Sequence, residues 1–365
     1  MKSINVKIPA TSEQNYQIKI GSDLLGTVIA NVRSFYPKHA FFLVTDGELI
    51  KAGHVDKLIA GQTIAGRYVI EPAGEISKHI GTVGAIIEAM EAANLGRDTV
   101  VLALGGGVVG DVAGFAASIF KRGVPVVQVP TTTVSQADSA IGGKTGVDSS
   151  ISKNAFGTFW NPFAVYVDVA TLKTLNERQF RAGLVESVKH SLIMDAGYFE
   201  FIEQNLDKVL AREPGVLEEI AGRNCSIKAG VVEKDPYEKN IRCILNYGHT
   251  IGHAVESASN YEMLHGEAVG IGIIAAGLIE KQLGLVKDGR LERVRNVLKK
   301  LDIGLKMPEY MDKARVFELL RSDKKSVGQV PRFVLLEQIG SVCSVGGQYA
   351  VEVGADVIKN VLDEL

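Results

Sequence analysis

The stretch TVVLALGGGVVGDVAGFAASIF, Thr99 to Phe120, decides the fold. Thr99 to Leu104 is an unbroken apolar run, the pattern of a strand buried on both faces. It runs straight into Gly105-Gly106-Gly107, and a helix is predicted from Asp111 to Phe120. Strand, glycine turn and helix together are the repeating unit of an α/β sheet. Gly105, Gly107 and Gly110 fit G-x-G-x-x-G, and the context suits an anion held by backbone N–H groups at a helix start. The acid expected about 20 residues further on is missing, since Val124 to Thr133 contains none. Asp46, upstream, is the nearest acid that ends a strand. Two readings stay open. Either a dinucleotide lies in a doubly wound sheet without the usual Rossmann order, or the glycines serve helix packing alone.

Working outward, residues 2 to 20 alternate as strands, with Ile4, Val6 and Ile8 and then Tyr16, Ile18 and Ile20 on one face. A helix is expected over Asp23 to Tyr36, a buried strand over Ala40 to Thr45, a helix over Val55 to Ala60, a strand over Tyr68 to Ile70 and a helix over Ser77 to Ala93. Val124 to Val129 and Val165 to Val169 read as further strands. Helical patterns then dominate: Glu177 to Met194, Gly197 to Ala211, Pro214 to Glu233, Glu267 to Leu283 and Asp288 to Leu301, with late strands at Arg332 to Gln338 and Ser341 to Ser344. The expected architecture is an α/β N-terminal domain over 1–170, with a mostly parallel, Rossmann-like sheet, and a mainly α-helical C-terminal domain over 171–365.

The chain has 365 residues, 46% hydrophobic and 22% charged, with a formal net charge of -2. That balance argues against nucleic acid or an acidic membrane surface as partner. Three cysteines, Cys225, Cys243 and Cys343, form no CxxC pair and argue against a disulfide framework. No run of 18 apolar residues and no signal-like start occurs, so a cytoplasmic location is expected.

The chemistry concentrates between Arg242 and Glu267, which holds His249, His253 and His265. Read as one helix from Arg242 to Glu256, the segment sets Arg242, Asn246, His249 and His253 on a single stripe. Burying four unpaired polar groups on a core helix would cost a few kcal/mol each, so the stripe is expected to face a cation and an anionic substrate. Glu186 and Lys189 share a helix face three residues apart. Glu186 with two of the three histidines would make a catalytic zinc set with an open position. Lys144 lies in the glycine-rich loop Gly142 to Gly146 as a candidate phosphate ligand, and Thr131 and Thr132 follow a strand with hydroxyls to donate. Lys228, Arg242, Lys324 and Lys325 supply enough positive charge for a substrate with two anionic groups.

The glycine loop with Asp111, Pro130-Thr131-Thr132, Asp138 to Gly146, Lys153-Asn154, Glu186 with Lys189, Leu245 to Ala254, Leu264 to Ala268 and Asp323-Lys324-Lys325 resemble the 3-dehydroquinate synthase family, in family order. The chain departs from the family pattern at Ala155 to Pro162 and at Ala73. The resemblance implies conversion of 3-deoxy-D-arabino-heptulosonate 7-phosphate to 3-dehydroquinate and phosphate, in the shikimate pathway. The route would be transient oxidation by NAD, β-elimination of phosphate, re-reduction and aldol closure. It implies Glu186, His249 and His265 as ligands to Zn2+ or Co2+. It places NAD on Asp46, Glu75, Lys78, Gly106, Gly107, Val108, Val109, Gly110, Asp111, Thr131, Thr132, Lys144, Lys153, Thr171, Leu172, Lys173 and Thr174. It places the substrate phosphate on Lys144, Asn154, His253 and Lys324 or Lys325, with Arg122 reaching in from a partner subunit of a homodimer. The substrate carboxylate would meet Lys228, Arg242 and Asn246, and Asp138 and Lys189 would hold ring hydroxyls. Related sugar-phosphate cyclases and metal-dependent polyol or glycerol-phosphate dehydrogenases are the alternatives of similar architecture.

Overall fold

The computed structural model describes residues 15–260, 262–285, 289–322 and 330–365. One sheet contains β1 (Gln17–Gly21), β2 (Ala40–Asp46), β3 (Gly66–Ile70), β4 (Thr99–Gly105) and β5 (Val126–Pro130). A hairpin of β6 (Lys144–Val147) and β7 (Phe156–Phe159) follows, and β8 (Ala164–Asp168) completes the sheet. The order is β1-β8-β5-β4-β2-β3, and every pairing is parallel. The strand expected over Ile4 to Ile8 falls outside the described residues.

Among the described residues this half carries α1 (Leu25–Phe35), α2 (Gly47–Lys51), α3 (His54–Ile59), α4 (Ile80–Ala92) and α5 (Gly107–Ile119). The unbroken apolar runs are explained by the period-2 alternation of a sheet covered on both sides. Phe41 and Leu43 of β2 pack with α1 and α3, while Phe42 and Val44 pack with α4 and α5. The helix after β2 lies on one face and the helix after β3 on the other, so the winding reverses between β2 and β4. Ligands of open α/β sheets bind outside the carboxyl ends of the strands at such a reversal. Asp46 and Gly105 end those two strands.

The second half is built from α6 (Glu177–Met194), α7 (Ala196–Leu210), α8 (Pro214–Lys234), α9 (His249–Ala258), α10 (His265–Gln282), α11 (Arg290–Lys300), α12 (Lys313–Ser322) and α13 (Ala355–Glu364). Short strands β9 (Arg332–Val334), β10 (Leu336–Gln338), β11 (Ser341–Val342) and β12 (Ala350–Glu352) pair as two small ladders. Val165 and Val167 of β8 join the helical core, whereas Ala164 and Tyr166 face α1. The helices therefore lean on the β8 end of the sheet and leave a cleft above its carboxyl edge. Among the described residues no helix is long and apolar enough to cross a membrane.

Three expectations need correction. The helix read over Arg242 to Glu256 is two elements, a 3-10 turn at Ile241–Asn246 and then α9. Gly248 between them has φ +75, a left-handed backbone that side chains resist. A Cβ there would also stand 2.7 Å from Ile273 Cγ1. Second, α5 begins at Gly107 rather than Asp111, so the glycine loop is itself the helix start. Third, Lys144 opens β6 rather than lying within a loop.

Candidate active site

Helix α6 is capped by Asn176, whose side chain accepts from the Arg178 and Gln179 N–H groups. From Ala182 to Ile193 it is buried on every face, which carries Glu186, Lys189 and His190 inside. Lys189 Nζ donates to Glu186 Oε2 at 2.5 Å, and both side chains are 1% exposed. The pair is thus not the surface ion pair that an i,i+3 spacing most often makes.

Glu186 Oε1 is buried without a hydrogen-bond partner. It faces His249 Nε2 and His265 Nε2, each at 3.6 Å. Those separations are too long for hydrogen bonds. Two atoms bound tetrahedrally to one cation at zinc–nitrogen and zinc–oxygen lengths stand about 3.3 Å apart. An orphaned carboxylate oxygen with two imidazole nitrogens at this spacing fits a divalent cation. His249 Nδ1 lies 3.1 Å from the Tyr247 carbonyl and His265 Nδ1 lies 3.3 Å from Glu256 Oε2. Acceptors on the outer nitrogens turn both Nε2 atoms inward. His253 stands beside them, its ring centroid 5.1 Å from that of His249 and 5.7 Å from that of His265. Ligand atoms of the three histidines lie within 4.8 Å of one another.

Electrostatics suit the same role. Burial would raise the Glu186 carboxyl, but Lys189, His249 and His265 outweigh it and hold the group well below its ordinary value. Burial, reinforced by Lys189, pushes His249 well below the ordinary imidazole range, leaving a neutral ligand. Burial would also lower His265, yet its two flanking carboxylates, Glu186 and Glu256, leave it pushed up to about 9.

Asp138 sits in the π-helical turn Ser135–Ser139. Lys228 of α8 reaches it, with Nζ 2.8 Å from Oδ1 and 2.5 Å from the main-chain oxygen. Burial would raise Asp138, but Lys228 and Lys189 hold it well below its ordinary value. Arg242, a residue 2% exposed, donates through its guanidinium to the carbonyls of Pro236 (2.6 Å) and Gly142 (3.1 Å). Asn246 Nδ2 donates to Glu238 Oε1 at 3.0 Å, and Lys144 Nζ pairs with the other oxygen of Glu238. A cavity of about 500 Å³ gathers Asp111, Asp138, Lys144, Asn154, Thr158 and Lys228.

The residues expected at the dinucleotide line the carboxyl edge of the sheet. Asp46 accepts from the Glu48 and Leu49 N–H groups, capping α2. Lys78 Nζ pairs with Asp111 Oδ2 at 2.7 Å. Gly106 precedes the first turn of α5, Val108 is half-buried and Val109 is buried beneath Gly105. Close packing is therefore part of what the glycines do, beside the open helix start. Thr131 Oγ1 is buried without a hydrogen-bond partner, an orphan that a bound group would satisfy. Thr132 Oγ1 lies 2.9 Å from Ser135 Oγ. Lys153 Nζ meets Glu256 at 2.9 Å and Glu75 at 3.4 Å.

The turn Thr171 to Thr174 follows β8 and has structural work of its own. Thr171 donates to the Asp168 carbonyl at 2.7 Å, Leu172 is in the core, and Lys173 and Thr174 are exposed. Thr171 lines a smaller cavity of about 230 Å³ with His54 and Asp168. Arg122 is exposed beyond the far end of α5, about 20 Å along that helix from the glycine loop. Lys324 and Lys325 lie outside the described residues.

Three buried or bridging groups were not singled out by the sequence. Glu238 joins Lys144 to Asn246. His190 points Nε2 toward Asp138 Oδ1 at 3.8 Å while Nδ1 meets Asn224. Glu256 holds His265. Two of them left a periodic signal: Glu256 falls three residues after His253 and seven after His249, and His190 falls four after Glu186 on α6, each on a shared helix face. Glu267 does not join the cation cluster: it ion-pairs with Arg178 and accepts from the Leu264 N–H, capping α10.

A family model described as 3-dehydroquinate synthase N-terminal matches residues 68–182, and one described as 3-dehydroquinate synthase C-terminal matches residues 183–326. The chain is 43% identical over 336 residues to a 3-dehydroquinate synthase of Symbiobacterium thermophilum, covering 90% of this chain and 93% of the relative. Among solved structures it is similar to 2-deoxy-scyllo-inosose synthase complexed with carbaglucose-6-phosphate, NAD+ and Co2+, with a TM-score of 0.85 and 27% identity over 95% of this chain and 96% of that one. It is also similar to 2-epi-5-epi-valiolone synthase from Streptomyces hygroscopicus subsp. jinggangensis with NAD+ and Zn2+ bound, with a TM-score of 0.86 and 27% identity over 98% of this chain and 99% of that one. The chain belongs to the 3-dehydroquinate synthase family.

Proposed function

We propose that the protein converts 3-deoxy-D-arabino-heptulosonate 7-phosphate to 3-dehydroquinate and phosphate, using NAD and one Zn2+ or Co2+ ion. The observation that carries this reading is the orphaned Glu186 Oε1 set between His249 and His265. These three residues would hold the cation. NAD would lie across Asp46, the α5 start, Thr131, Thr132 and Lys153. When bound, the nicotinamide would supply reversible hydride transfer and the cation would polarise the oxygen on the carbon being oxidised.

The protein's own groups chiefly bind and orient. Lys228, Arg242 and Asn246 would fix the substrate carboxylate, and Lys144, Asn154 and His253 the phosphate. Asp138 and Lys189 would hold ring hydroxyls. Holding reacting groups in register can lower a barrier by several kcal/mol. The Lys144–Glu238 ion pair must open, or turn toward the ligand, before Lys144 can hold a phosphate. Arg122 would serve the neighbouring copy of a homodimer, because it stands at the wrong end of α5 to serve its own site. We further place the division between the halves at 170/171 and the protein in the cytoplasm.

The test is incubation with the heptulosonate phosphate and NAD. Stoichiometric phosphate release with no net NADH supports the reading. NADH accumulating with turnover would instead mark a dehydrogenase.

A further inference from the structure

The two outer nitrogens of the proposed histidine ligands are held differently. His249 Nδ1 meets a neutral carbonyl two residues away, that of Tyr247. His265 Nδ1 meets the carboxylate of Glu256, a side chain 10% exposed. The other oxygen of that carboxylate, Oε1, accepts from Lys153 Nζ at 2.9 Å. Lys153 comes from the N-terminal half and approaches Glu75 at 3.4 Å. One buried carboxylate thus joins an imidazole of the cation cluster to an ammonium on the dinucleotide side of the cleft.

We propose that Glu256 is a positioning residue that couples the cation site to the dinucleotide site. The inference rests on the cation and NAD assignments made above. The carboxylate has two jobs. Toward His265 it fixes the proton on Nδ1, so that the Nε2 lone pair faces Glu186. Outer partners of this kind are worth about 10–100-fold in metal affinity. Toward Lys153 it carries the charge that seats the segment after β6. A dinucleotide that orders Lys153 thereby restrains Glu256 and, through it, the His265 ring. Binding free energies are linked reciprocally, so cation and dinucleotide must strengthen each other by the same factor.

The experiment titrates Zn2+ against a competing chelator with and without NAD, and NAD with and without Zn2+. It compares the wild-type protein, Glu256→Ala and Glu256→Gln. The wild type is expected to bind each ligand about 5–150-fold more tightly when the other is present. Glu256→Ala is expected to lose about 10–100-fold in Zn2+ affinity and to bring the mutual enhancement to within twofold of one. Glu256→Gln keeps an acceptor for His265 but loses the charge that faces Lys153. It should hold Zn2+ within about threefold of the wild type and still lose the enhancement, and it carries the test if Glu256→Ala does not fold. Unchanged Zn2+ affinity in Glu256→Ala, or full enhancement in Glu256→Gln, overturns the coupling while leaving the site assignment intact. A wild-type protein that binds neither Zn2+ nor NAD overturns both.

Discussion

Lys189 Nζ stands 2.5 Å from Glu186 Oε2 with both side chains sealed from solvent. A buried pair of this kind is costly to break, because one charge is left without compensation. Lys189→Met should therefore destabilise the metal-free protein by about 3–5 kcal/mol in denaturant unfolding. A cation on Glu186 would replace the missing positive charge. Saturating Zn2+ should recover more stability in the variant than in the wild type. An equal Zn2+ increment in both would contradict the placement of the cation at Glu186.

The pH response of the same cluster has a definite sign. His265 is raised to about 9 in the metal-free fold, against about 6.5 when unfolded. Its protonated form therefore contributes stability that is full below about 6.5 and is lost as pH rises through about 9. A cation must displace that proton. Zn2+ affinity should thus climb by about tenfold per pH unit from 7 toward 9. A flat affinity over that interval, after correction for hydroxide binding by the ion, would show that His265 is not a ligand.

Thr131 Oγ1 offers a test on the dinucleotide side. It is buried without a hydrogen-bond partner, so replacing Thr131 with near-isosteric valine removes an unsatisfied polar atom. Thr131→Val should match or exceed the wild type in stability without ligands. It should weaken NAD by about three- to tenfold, the worth of one hydrogen bond. Unaltered NAD affinity would remove Thr131 from the cofactor crevice.

Gly248 turns the chain from the Arg242 turn into α9. Its φ of +75 and its approach to Ile273 leave no room for a side chain. Gly248→Ala should cost at least about 1–3 kcal/mol and should lower cation affinity as well, because His249 is the next residue. A variant with wild-type melting and wild-type affinity would contradict this role.

The sheet was legible because β2 and β4 are covered on both faces and read as unbroken apolar runs. The β6–β7 hairpin was not, since its strands are four residues each, carry glycines and leave Phe156 and Phe159 partly in solvent. The break at Gly248 was masked by polar residues that happen to continue at helical spacing through it. The cation cluster was visible as residue types, yet nothing in periodicity selected two histidines of three. The 3.6 Å approaches of His249 and His265 to Glu186 Oε1 supply that selection. Glu238 left no pattern at all: it sits in the loop 235–240 and acts by bridging Lys144 and Asn246.

Metal content of the purified protein and of Glu186→Ala, His249→Ala and His265→Ala tests the central claim most directly. After dialysis against trace Zn2+, the wild type should retain about one ion per chain, and each variant should retain far less while keeping its secondary structure. Full retention of zinc by all three variants would contradict the account.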